Sequence, residues 1–261
     1  METEIKYPTE IHQHTAEQVT NFFSGFKDVR AALLTCSCAR GKASKDSCLD
    51  MAILFSPQLS TGKRDEIIAL WDKEHAENKL YKDFSETGEY SHVDLEFIDG
   101  NFREGCHEWT SGPDGFELEI GNFLAYSKPL YKNGEYFDQL RSDWLPYYND
   151  SQRERRLKMV REFCLNNLHH IPLYNDRGLY FQCFNRLYHA VGEFLQALFI
   201  AKRTYPIAYD KWIKEQLCDL LQLPDLYEEL VELMQYERFE SSQHKCKAKQ
   251  LESLVDRYCN E

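Results

Sequence analysis

Apolar positions change period near the middle of the chain. Val19, Phe22, Phe23 and Phe26 share one helical face, and Thr15 with Gln18 forms a capping-box pattern ahead of them, so a helix is expected over 15–27. Val29–Leu34 is apolar except for Arg30, and Leu49–Phe55 except for Asp50; these predict strands over 29–35 and 48–56. Ile67, Ile68, Leu70 and Trp71 predict an amphipathic helix within 61–80, and polar 81–90 reads as a loop. Val93, Leu95 and Phe97 alternate with His92, Asp94 and Glu96, the period of a half-buried strand, which Asp99-Gly100 closes with a turn. Polar 101–115 then leads to FELEIGNFLAYSKPLY, read as a short strand running into a helix. Beyond Glu135 the pattern is helical, with segments expected over 150–170, 179–201, 209–221, 226–239 and 246–259. The pattern predicts an α+β chain in two parts: an N-terminal α/β domain, 1–134, with a mixed sheet and flanking helices, and a C-terminal all-helical domain, 135–261.

Composition narrows the classes of function. With 261 residues and 43% hydrophobic content the chain can bury a substantial core. No stretch approaches the roughly 18 uncharged apolar residues of a membrane span, and METEIKYPTE lacks the basic and apolar regions of a signal peptide. Nine cysteines, an odd number, suit reduced thiols in a cytoplasmic protein. A net charge of −12 disfavours nucleic acid as a partner.

The candidate chemistry gathers in LLTCSCARGKASKDSCLDMAILF, residues 33–55. Ser37, Ala39 and Gly41 are small residues that let a backbone approach a ligand. Asp50 is a carboxylate in a strand that otherwise wants burial, costly unless paired or holding a cation. If strands 48–56 and 93–97 are neighbours, Asp50 and Asp94 can point to one face and share Mg²⁺, with Glu96 two residues on. Cys36, Cys38 and Cys48 lack the CxxC spacing of zinc sites and read as buried thiols. Arg40 suits a phosphate or a surface acid equally.

In this stretch Ser37, Ala39, Arg40, Gly41 and Asp50 match in type and spacing the signature of the nucleotidyltransferase superfamily with the polymerase-beta-like fold, which the chain resembles. Two positions depart: Cys36 stands where that family has Gly, and Cys48 where it has the first metal-binding Asp. The resemblance implies that Asp50, Asp94 and Glu96 hold Mg²⁺, and that Ser37, Arg40 and Gly41 hold the phosphates of an NTP. In the helical part RLYHAVGEFLQALFIAKRTYPIAYDKW is similar to the substrate-binding domain of small-molecule and antibiotic nucleotidyltransferases. By that likeness Glu193 would be the base for the acceptor hydroxyl, and Arg186 and Lys211 would contact the nucleotide.

The implied activity is transfer of a nucleoside monophosphate from Mg-NTP to a hydroxyl of a small acceptor. Cys48, a soft and poor Mg²⁺ ligand, supports a rival: an inactive nucleotide-binding protein of the same fold. A protein-modifying or antitoxin-type transferase is a further alternative, disfavoured by the large helical part.

Overall fold

The computed structural model describes residues 5–108 and 112–259. Residues 1–4, and 109–111 of the polar connection, lie outside them. The fold is α+β: a mixed four-stranded sheet with flanking helices, followed by a helical C-terminal region. Contacts group the chain into two units, 1–103 with 119–146, and 104–118 with 147–261. The units therefore part at 146/147, twelve residues beyond the expected 134/135.

In the first unit the strands are β1 (Val29–Leu34), β2 (Leu49–Phe55), β3 (Val93–Ile98) and β4 (Lys128–Lys132), in the order β3-β2-β1-β4. β1 is antiparallel to β2 and β4, while β2 and β3 are parallel. A parallel pair needs a crossover; here it is made by α3 (Thr61–Glu77) and α4 (Lys79–Ser85). Leu49, Met51, Ile53 and Phe55 on one face of β2 pack with Val29, Ala32 and Leu34 and with α1 (Glu10–Ser24), closing a core around Phe23, Trp71 and Phe84.

Several expectations shift. α1 begins at Glu10, capped by Thr9, and Thr15 is buried inside it. Tyr81 and Phe84 are buried three residues apart, so part of the expected loop 81–90 is helix α4, capped by Asn78. The stretch 116–131 reverses its expected order. Phe116, Ile120 and Leu124 are buried at intervals of four, so helix α5 (Phe116–Ile120) and a π-helical turn (Gly121–Ala125) come first, and strand β4 follows. β4 is an edge strand and carries Pro129, which has no N–H to give a ladder; the register with β1 shifts there, between Ala32 and Leu33. α6 (Tyr136–Trp144) completes the unit.

The second unit has its own core, between α7 (Asp150–Asp176), α8 (Tyr180–Ala201), α9 (Pro224–Leu233) and α10 (Gln243–Tyr258). The helix expected over 209–221 is a π-helical segment, Glu215–Leu220, and α9 ends six residues before the expected 239. Among the described residues no helix is long and apolar enough to cross a membrane.

A buried ionic cluster pins Glu104, Asp114 and Glu117 to α7. Arg156 is fully buried and uses all five N–H donors. Nε and Nη2 donate to Glu117, the latter at 2.7 Å; Nη2 and Nη1 donate to Asp114 at 2.8 and 3.0 Å; Nη1 also donates to Glu104 at 3.1 Å. Tyr148 and Gln196 donate to the two Glu117 oxygens, each at 3.0 Å. Burial by itself would raise the Asp114 carboxyl, but the Arg156 contacts hold it below its ordinary value.

Each unit also buries one neutral histidine by the same device. His12 Nε2 donates to the Ser47 carbonyl at 3.1 Å and Nδ1 accepts from Thr9 Oγ1 at 2.7 Å. His244 Nε2 donates to the Phe239 carbonyl at 2.8 Å and Nδ1 accepts from the Tyr236 hydroxyl at 2.9 Å. Burial lowers both pKa values. As pH falls through the unfolded value of about 6.5 the unfolded chain takes up the protons first, so stability drops until the folded histidines charge. Denaturant midpoints are expected to fall between pH 8 and 5, with a shallower slope in His12→Gln.

Candidate functional site

The hairpin from β1 to β2 turns through a four-residue helix, α2 (Cys36–Ala39). It is bracketed by two left-handed backbones, Cys36 at φ +50° and Gly41 at φ +68°. Glycine takes such a backbone freely and cysteine does not, so the resemblance's Gly at position 36 has a conformational reason, and this chain carries strain in its place. The Thr35 N–H donates to the Asp50 carbonyl at 3.0 Å, and Lys42 N–H to the Ser37 carbonyl at 2.9 Å, fixing the turn against the start of β2. The Ser37 hydroxyl is half-buried and makes no hydrogen bond to the described residues.

Asp50 on β2 pairs in register with Asp94 on β3. Residues paired across adjacent strands are about 4.8 Å apart, with side chains on one face. That face is opposite to the packed Leu49, Met51, Val93 and Leu95. Glu96 lies two residues along the same face, across from small Ala52. Asp94 and Glu96 are exposed on the edge strand, where charge also blocks unwanted pairing. Cys48 precedes Asp50 on its face and donates its thiol proton to Asp50 Oδ1 at 3.2 Å. Burial and then the Asp50 charge push the Cys48 thiol up to about 12. Burial, followed by Asp50, also raises Cys36 to about 11 and Cys38 to about 12, so all three remain S–H at neutral pH. Among the described residues no group of three or more His, Cys, Asp or Glu is arranged to hold a metal.

The loop 42–47 that delivers Cys48 is held from behind by residues with no recognisable motif. His12 anchors the Ser47 carbonyl, Ser47 Oγ accepts from Ser44 N–H at 2.9 Å, and Ser91 Oγ donates to the Lys45 carbonyl at 3.4 Å. Gly88 packs against this loop: a Cβ there would stand 2.7 Å from Asp46 Cα and 2.6 Å from its Oδ1. Gly88→Ala is therefore expected to displace the loop and destabilise the first unit by about 1–3 kcal/mol, measured as a shift in the denaturant midpoint.

In the second unit, Glu193 is buried on α8 and both its oxygens accept from Asn167 Nδ2, at 3.0 and 2.9 Å. Arg186 Nη1 donates to Asn167 Oδ1 at 2.8 Å, joining the two expected residues through an asparagine that the sequence did not single out. Burial pushes the Glu193 carboxyl up to about 7, against the pull of Asn167 and Arg186. Lys211 is exposed, and its carbonyl accepts from Gln216 Nε2 at 3.0 Å. The expected site residues thus form two groups. Asp50, Asp94 and Glu96, with the turn of Ser37, Arg40 and Gly41, belong to the first unit; Glu193, Arg186 and Lys211 belong to the second.

No family model and no curated protein matches the chain. Among solved structures, a nucleotidyltransferase-like protein from Exiguobacterium sibiricum 255-15 is similar, with 13% identity, a TM-score of 0.45, and coverage of 95% of this chain and 75% of that one.

Proposed function

We propose that the first unit binds a nucleoside triphosphate with one Mg²⁺ and that the protein moves the nucleoside monophosphate to a hydroxyl of a small acceptor. The observation that carries this reading is the in-register pair Asp50 and Asp94 beside the Ser37 turn. Two carboxylates suit a single hard cation completed by water and phosphate oxygens. The donor set does not suit a pair of cations, because the third position is a protonated thiol. When bound, the ion would neutralise charge on the phosphates.

The chain's own residues have separate tasks in this reading. Asp50 and Asp94 would hold the ion, with Glu96 further along the face. The Ser37 hydroxyl would donate to a phosphate oxygen, and Gly41 would keep the turn's backbone close to the ligand. Arg40 would contribute positive charge to the phosphates. The acceptor oxygen attacks the α-phosphorus, the bond to the bridging oxygen breaks, and pyrophosphate leaves. In the second unit, Glu193, with its carboxyl raised to about 7, has the protonation range of a general base.

Cys48 favours a second reading, a protein that keeps the nucleotide without turning it over, since a neutral thiol replaces a carboxylate on the Asp50 face. Calorimetry with ATP, GTP, CTP and UTP, with and without Mg²⁺, tests what both readings share. Mg²⁺-dependent binding of at least one is expected; binding of none ends both. Pyrophosphate release then separates them.

A further inference from the structure

The second unit contains a cavity of about 310 Å³ whose wall is almost wholly apolar. Val191 and Leu195 of α8, Ile213, and Leu230 and Met234 of α9 supply aliphatic surface; Tyr188, Tyr209 and Tyr227 supply three aromatic rings. Its charged lining residue is Asp210, which is exposed and makes no ion pair among the described residues. The Lys214 ammonium lies 5.5 Å from the Tyr227 ring centroid, so one ring already serves a cation, while Tyr188 and Tyr209 have none over them among the described residues. Apolar space of this size, open on one side, holds one ring with a short substituent. Aromatic faces and a lone carboxylate both attract positive charge, and a net charge of −12 adds a long-range pull of the same sign.

We infer that this cavity is a binding site for a small organic ammonium compound with an apolar body. The apolar part fills the space among Leu195, Ile213 and Leu230, and the ammonium group meets Asp210 and the tyrosine rings. An anion would meet Asp210 unfavourably, and a strongly hydrated polyol would leave its hydroxyls without partners against the aliphatic wall. The site lies within one unit and stands whether or not the first unit transfers nucleotides.

The test uses the full chain, with benzyltrimethylammonium and its neutral carbon isostere neopentylbenzene as probes in NMR titrations. The cation is expected to bind about tenfold tighter than the isostere. Asp210→Asn, at an exposed position, is expected to remove most of that preference while leaving isostere binding in place. Val231→Trp, from a partly exposed lining position, is expected to fill the cavity and abolish binding of both. Equal binding of the two probes, a preference that survives Asp210→Asn, binding that survives Val231→Trp, or no binding of either probe would each overturn the inference.

Discussion

Arg156→Met is expected to cost the helical unit about 3–5 kcal/mol, the effect of removing one partner from a buried ion pair. Glu117 is fully buried and the Asp114 side chain nearly so, and Arg156 contributes two hydrogen bonds to each. Without it two carboxylates remain in low dielectric with Tyr148, Gln196 and His107 as their side-chain donors among the described residues. The sign of the pH dependence identifies the mechanism. In the parent chain Asp114 is held low, so its contribution is present above the unfolded carboxylate pKa and is lost as pH falls through the folded value. In the variant burial raises the Asp114 carboxyl, the folded state binds the extra proton, and stability recovers as pH is lowered from 7 to 5. Denaturant unfolding at both pH values measures this. Arg155→Ala, which removes only the exposed partner of Glu104, serves as the control and is expected to cost no more than about 1 kcal/mol. An Arg156→Met variant as stable as Arg155→Ala would show that the cluster contributes nothing net.

Asp50→Ala is expected to abolish Mg²⁺-dependent nucleotide binding, weakening it by about 100-fold, which is about 3 kcal/mol for one partner lost from a desolvated charge contact. Asp94→Ala is expected to fall in the same range, because its Cα is paired with that of Asp50. Glu96→Ala, two residues along the strand, is expected to matter less. Cys48→Asp places a third carboxylate on the Asp50 face in place of the thiol now bonded to it. Pyrophosphate release confined to that variant would identify a chain that has lost turnover, whereas release by the parent chain would remove the binding-only reading. Unchanged affinity in Asp50→Ala would place the nucleotide elsewhere and withdraw the proposal.

The strands and long helices were legible because each carries one strong periodic signal. Val93–Ile98 alternates, and α8 places Leu187, Ala190, Phe194 and Leu198 on a single buried face. Where two signals compete, the sequence was ambiguous. FELEI alternates like a strand and also repeats at four residues, and only packing of Phe116, Ile120 and Leu124 decides for the helix. Thr15 and Gln18 imitate a cap, but Thr9 holds that role because helix α1 starts five residues before Thr15.

The candidate site divides in the same way. The small-residue turn and the spacing from Ser37 to Asp50 are local properties, set by residue type and chain length, and they are readable without coordinates. So are the two departures, although the positive φ at Cys36 and the Cys48–Asp50 hydrogen bond that give them physical content are not. That Asp50 faces Asp94 follows from the parallel pairing of β2 with β3, a long-range choice of partner and register. The same holds for Asn167 beneath Glu193, Gly88 behind the 42–47 loop, and the Arg156 cluster, which join residues 26 to 79 positions apart. Sequence by itself determined the periodicities, the turn chemistry and the acidic surface, because these depend on neighbours along the chain. Tertiary structure alone decided which carboxylates share a face and which charges are buried together, because pairing across the chain follows from how the cores close.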